Sequence, residues 1–204
     1  MKAFDCVQGS PEWWQLRRGI PTCSNFDRIL TPKTLKLSSQ VDSYIHELIA
    51  DRFRLTPPDG TENYVSRPML NGLNTEPEAR RWYEMEVGAE VKRVGFVTTD
   101  DGRFGGSPDS LVGEDGGLEL KCPELKTHVK YLLDGVLPDD YRPQVHGYLI
   151  VTGRPWWDFV SYSPGLDPFR IRVTPNLFTD TLRDALEQFD RRYKELLSKI
   201  KGAA

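Results

Sequence analysis

The chain has 204 residues, 38% of them hydrophobic and 28% charged, with five Trp, eight Tyr and nine Phe. That suffices for one domain with a sizeable core and is too rich in aromatic residues for a disordered chain. A net charge of −3 counts mildly against a nucleic-acid binder, which is expected to be basic at least locally, but leaves room for one whose basic residues gather on one surface.

Three cysteines, Cys6, Cys23 and Cys122, without C-x-x-C spacing, argue against a disulfide scaffold, a zinc ribbon or an iron–sulfur cluster and predict small buried thiols in a reducing compartment. Asp5 interrupts the chain where a secretory signal would need an apolar run, and no stretch nears the roughly 18 apolar residues of a membrane span. A cytoplasmic protein without membrane contact is expected.

In chain order, Ser10-Pro11 reads as an N-cap with proline at the first helical position, opening a short helix that ends at Gly19. At least one of Trp13 and Trp14 on it is expected in the core. A second short helix is predicted over 24–30, stopping before Pro32. Between Ser39 and Arg54, Val41, Tyr44, Ile45, Leu48 and Ile49 recur with helical spacing and define one buried face. Residues 55–66 are rich in Pro, Gly and polar groups and read as a loop.

Thr75 and Glu78 are spaced as a capping box, predicting a helix from there to Val87 with Gly88 as its stop. Three strands follow, over 91–98, 102–112 and 117–122, joined by Asp-Gly-type turns into an antiparallel meander. Helices are expected over 126–133 and 140–151, strands over 156–163 and 169–173, and a long amphipathic helix over 176–200. Leu182, Leu186, Phe189, Tyr193, Leu196, Leu197 and Ile200 form its apolar side. The order implies a mixed α/β, α+β arrangement with helices against one central sheet.

The chemistry gathers at Asp109, Glu119 and Lys121. Glu119 and Lys121 stand two apart on one strand, so they project from one face, and hairpin pairing can bring Asp109 beside them. Two adjacent carboxylates repel unless a cation lies between them. Mg²⁺, with Mn²⁺ as a substitute, suits such oxygen donors, and the Leu120 carbonyl could add another. Lys121 beside a metal-bound water would favour hydroxide and stabilise a phosphorane-like transition state. A turn-forming Asp109 and a solvated Glu/Lys strand face account for the bare pattern equally well. His46, His128 and His146 lack metal-ligand spacing, and neither a G-x-S-x-G elbow nor a Walker-type phosphate loop occurs.

Pro108-Asp109 with Glu119-Leu120-Lys121 resembles the PD-(D/E)XK nuclease superfamily. The longer blocks Gly106–Ser110 and Gly117–Pro123 resemble the lambda exonuclease and YqaJ-like viral recombinase family. Three further blocks match in order: Trp14–Gly19 with Thr22-Cys23-Ser24, Gly72–Arg80, and Gln144–Tyr148. The resemblance implies a restriction-endonuclease-like core and one nuclease domain over 1–204. A helical N-terminal part (1–70) would bind the 5′ end, a catalytic core would span 71–175, and a C-terminal helix 176–204.

It implies Asp109 and Glu119 as metal ligands, Glu76 completing or supporting the metal site, and Lys121 activating the attacking water. Gln144 would position that lysine or the water, with Tyr148 one helical turn on. Arg17 and Ser24 would receive the 5′-phosphate of a DNA end. The implied activity is 5′→3′ exonuclease digestion of double-stranded DNA, leaving 3′ overhangs for a single-strand annealing protein, by a homotrimer of phage or prophage origin in a bacterial cytoplasm. An endonuclease or nickase of the same superfamily, and a non-catalytic DNA-binding recombination protein, are the competing readings.

Overall fold

A computed structural model describes residues 1–56 and 67–200, with 67–74 described by their backbone alone. The predicted loop over 55–66 lies, from 57 onward, outside the described residues. The central element is a five-stranded mixed sheet in the order β10-β9-β8-β7-β4. It is built from β4 (Val91–Lys92), β7 (Ser110–Val112), β8 (Gly116–Lys121), β9 (Trp156–Ser161) and β10 (Phe169–Val173). The pair β8–β9 is parallel and every other pair antiparallel.

The parallel pair needs a crossover. Two helices supply it, α4 (Leu125–Asp134) and α5 (Arg142–Thr152), linked through a 3-10 turn at Asp139–Tyr141. A left-handed glycine, Gly135 or Gly153, stops each of them.

The expected meander divides between two sheets. Val91–Thr98 breaks into β4 and β5 (Phe96–Thr98), and Gly102–Val112 breaks into β6 (Gly105–Gly106) and β7. β5 joins β6 and the N-terminal β1 (Lys2–Phe4) in a separate three-stranded sheet, order β1-β5-β6. Gly95 allows the split: its amide donates to Phe4 O, and a Cβ there would lie 2.1 Å from Cys6 O.

Two helical expectations are also corrected. The predicted helix over 24–30 is a 3-10 turn, Cys23–Arg28, followed by β2 (Leu30–Thr31), which pairs with β3 (Lys36–Leu37). The helix expected to start at Thr75 begins at Arg67 and runs to Val87 as α3, carrying Pro77 inside it. Pro68 in its first turn marks the true start, and Thr75–Glu78 lies mid-helix. The other helices follow the reading: α1 (Pro11–Arg17) capped by Ser10, α2 (Val41–Phe53), and α6 (Leu177–Ser198) capped by Asn176. Ile200, expected on the apolar side of α6, lies beyond its end and is 44% exposed.

The two faces of the sheet are covered differently. On one, Ala79 and Tyr83 of α3 pack on Val112, Leu118, Leu120 and Val160. On the other, Val145, Tyr148 and Leu149 of α5 join Phe26, the buried face of α2, and Leu182, Leu186 and Phe189 of α6. Strand alternation then fixes the site: Leu118 and Leu120 face α3, so Glu119 and Lys121 face α5. Trp13 and Trp14 are half-buried and neither belongs to the core, contrary to expectation. The cysteines are free; Cys23 is buried, whereas Cys6 and Cys122 are only partly so. Among the described residues, no helix is long and apolar enough to cross a membrane.

Candidate active site

The register of the β7–β8 hairpin pairs Ser110 with Leu118, which sets Asp109 opposite Glu119. The Leu120 amide donates to Asp109 Oδ2 at 2.6 Å and pins that carboxylate to the next strand. Leu120 thus engages Asp109 through its N–H, a contact the sequence reading did not anticipate alongside the proposed carbonyl ligand.

Glu119 is 2% exposed. Its Oε1 receives both Lys121 Nζ at 2.5 Å and Gln144 Nε2 at 2.7 Å. The Gln144 amide also donates to Tyr148 Oη at 3.1 Å, and that hydroxyl donates to Ser107 O at 3.1 Å. Asp109, Glu119, Lys121, Gln144 and Tyr148 are therefore one connected group, closed by a tyrosine bond back to the loop before Asp109. Burial and the neighbouring Glu119 charge push the Asp109 carboxyl up to about 8. Burial works against the charged Lys121, but the Glu119 and Asp109 charges outweigh it and raise its pKa.

Glu76 comes from α3 and lines, with Asp109, Arg80 and Arg93, a cleft of about 430 Å³ closed on one side by Asp5–Gln8. Its Oε1 accepts from Arg80 at 2.7 Å and lies 3.7 Å from Arg93. Among the described residues, no three His, Cys, Asp or Glu side chains stand close enough to form a ready metal cage. The donors still suit a hard divalent ion such as Mg²⁺, which keeps several waters and needs only one or two protein carboxylates. Half-buried Asp109 and buried Glu119 supply carboxylates at facing positions of the hairpin, and the difficulty of ionising Asp109 there is what a cation would relieve.

The N-terminal residues form a second station beside the first. The Arg17 guanidinium lies 4.0 Å from the Trp13 ring centroid and contacts Ser107 Oγ at 3.4 Å and Thr22 Oγ1 at 3.5 Å. Trp13 Nε1 also donates to Ser107 Oγ, at 2.8 Å. Ser24 Oγ is 3.4 Å from Thr22 Oγ1. Burial lowers the Arg17 pKa, and among the described residues no carboxylate forms an ion pair with it. An under-compensated guanidinium beside three hydroxyls is fitted to an anion.

The sequence reading gives no role to Ser107, Thr22 and Arg80, though each falls in a matching block, and does not single out Arg93. Ser107 could have been found from its place two residues before Asp109. Arg80 could have been found from its i+4 spacing to Glu76 on a helix.

The model of the YqaJ-like viral recombinase domain matches residues 12–155 of this chain. The chain belongs to the YqaJ-like viral recombinase family. The match takes in every member of the site, from Arg17 to Tyr148. The fold is similar to that of an alkaline exonuclease, LHK-Exo, from Laribacter hongkongensis. The TM-score is 0.74 at 28% identity, over 93% of this chain and 97% of that one. A second structure of LHK-Exo, in complex with dAMP, matches with TM-score 0.72 and 30% identity over the same shares. A phage-related exonuclease from Haemophilus somnus 129PT shares the fold alone, with TM-score 0.64 and 14% identity over 91% of this chain and 98% of that one. No curated protein sequence matches. The expected PD-(D/E)XK-like fold is thereby borne out, a mixed sheet between helices with the acidic hairpin at its centre.

Proposed function

We propose that this family member is a metal-dependent 5′→3′ exonuclease of double-stranded DNA, resecting ends to 3′ overhangs for single-strand annealing. The observation that carries the proposal is the Lys121–Glu119–Gln144 contact beside Asp109, next to the half-buried Arg17, which has no ion-pair partner among the described residues. Relatives described as exonucleases, one in complex with a deoxynucleoside monophosphate, support the same reading.

Asp109 and Glu119 would hold the divalent ion, with Glu76 supporting it and the Leu120 carbonyl available as a further donor. When bound, such an ion polarises the scissile phosphate and lowers the pKa of the attacking water. Lys121, held on Glu119, orients the water and offsets the negative charge that develops on the phosphoryl oxygens. Gln144 keeps Glu119 and Lys121 in register, and Tyr148 ties Gln144 to the Ser107 backbone. Arg17 and Ser24, with Ser107 and Thr22, would receive the terminal 5′-phosphate, so that hydrolysis starts at an end and proceeds from it. A homotrimer, an annealing-protein partner and a cytoplasmic site of action complete the proposal. The net charge of −3 suits a ring whose basic residues line only its channel.

The deciding experiment is digestion of a linear duplex labelled separately at its 5′ and 3′ ends, with and without the 5′-phosphate, in Mg²⁺. Release of the 5′ label first, from phosphorylated ends, is expected. Arg17→Ala should slow digestion of phosphorylated ends by about ten-fold or more, the scale of a charge-assisted contact. Equal cutting of circular DNA would replace the exonuclease reading with an endonuclease. Inactivity of the wild type in both Mg²⁺ and Mn²⁺ would leave a non-catalytic DNA-binding protein.

A further inference from the structure

Arg80 connects two acidic residues that the sheet alone does not bring together. It is 8% exposed. Its NH2 donates to Glu76 Oε1 at 2.7 Å, one turn back on α3. Its NH1 donates to Asp109 O at 2.9 Å and also contacts Ser110 Oγ. One planar guanidinium thus grips the helix that carries Glu76 and the backbone that carries Asp109. Among the described residues the buried Nε has no partner, so there the grip comes from the two terminal nitrogens. Both Arg80 and Arg93 approach Glu76 at Oε1.

We infer that Arg80 is a positioning residue, which presents Glu76 and Asp109 together to one divalent cation in the 430 Å³ cleft they line. The inference rests on the metal-dependent reading above. Arg80 touches neither the reacting atoms nor, through its side chain, the Asp109 carboxylate. Packing of Ala79 and Tyr83 holds α3 on the sheet, but among the described residues Arg80 supplies the hydrogen bonds that join the Glu76 turn to the Asp109 backbone. Groups that orient metal ligands typically change metal affinity by about 10- to 100-fold when removed. A lysine there would keep the charge but not the fork that reaches two partners in different directions.

The test is Mn²⁺ titration calorimetry on wild type, Arg80→Ala and Arg80→Lys, beside single-turnover cleavage of a linear duplex over a range of duplex concentrations. Both variants should bind Mn²⁺ at least about ten-fold more weakly and lose rate at saturating duplex, while half-saturation by duplex stays near the wild-type value. Arg80→Lys decides if Arg80→Ala fails to fold. Mn²⁺ affinity within about two-fold of wild type in the folded variants, with rate losses that only track melting temperature, would overturn the inference. A wild type that neither binds Mn²⁺ nor cleaves overturns the metal-dependent reading itself, a result distinct from wild-type activity with indifferent Arg80 variants.

Discussion

Lys121 is not placed as an ordinary solvated strand lysine. A solvated strand lysine would extend into water, whereas this ammonium turns onto a carboxylate that is 2% exposed and lies 5.2 Å from the Tyr141 ring centroid. Lys121→Met keeps much of the stem and removes the charge. It is expected to lower the single-turnover rate by about 10²- to 10³-fold, the usual cost of losing one group that stabilises the transition state, with duplex binding by fluorescence anisotropy little changed. A rate within about three-fold of wild type would assign Lys121 a structural role.

These residues were legible in the sequence because the rules that place them are local: a period of two along a strand and a tight turn between strands. For Arg80 only the pairing with Glu76 follows from helical spacing; its reach to the Asp109 carbonyl, 29 residues along the chain, does not, because no periodicity encodes a contact made across two elements. Glu76 was legible only through family resemblance, because a lone glutamate on a helix has many ordinary explanations.

Among the elements, the β7–β8 hairpin carries Asp109 and Glu119 of the candidate site, and its far end is firmly held. Arg154 donates from NH1 to Val112 O at 3.3 Å, Gly113 O at 2.9 Å and Gly116 O at 2.6 Å, fastening the turn. Gly117 lies on the face of Glu119, where Trp157 crosses so closely that a Cβ would sit 2.2 Å from its ring. Trp157 in turn stacks on Tyr148, 4.7 Å between centroids and 17° between planes.

Gly117→Ala should therefore push Trp157 into Tyr148. A destabilisation of about 1–3 kcal/mol in urea unfolding is expected, with a loss of activity beyond what the unfolded fraction explains, because Tyr148 anchors Gln144. An unchanged urea midpoint would mean that the stack yields without cost. Strand propensity identified most of these segments, but it could not tell which sheet each would join. That choice fell to close approaches, such as Cys6 against Gly95, which only the folded chain reveals.

At the scale of the molecule, α5 and α6 bring the α5 face of the sheet under one cover, and a histidine sits in their seam. His146 is 3% exposed, its Nδ1 lies 2.8 Å from Thr179 Oγ1, and its ring packs 4.9 Å from Phe178. Thr179 Oγ1 also accepts the Asn176 amide in the cap of α6. Burial, helped by Arg142, lowers the His146 pKa from an ordinary 6.5 to about 4.

The native state thus holds the ring neutral while the unfolded chain takes up a proton below about 6.5. The stability contributed is fully present above that pH and is lost as pH falls toward 4, by an amount on the order of 3 kcal/mol. Urea midpoints between pH 7.5 and 4.5 should show the loss, and His146→Asn should flatten that part of the profile. A parallel slope in wild type and variant would transfer the effect to other groups. The sequence showed the three histidines to be poor metal ligands, but nothing in it distinguished a seam residue from a surface one.

The members of the site come from far apart along the chain. Arg17 meets Ser107 across 90 residues, Arg80 meets Asp109 across 29, and Gln144 meets Glu119 across 25. β8 cannot pair with β9 until the whole α4–α5 crossover has been made. Non-local contacts of this kind form late and slowly in folding. A nascent chain still lacking α5 has its acidic hairpin but neither Gln144 nor the Tyr148 tether, so the five-residue group can close only once the crossover between β8 and β9 has been made.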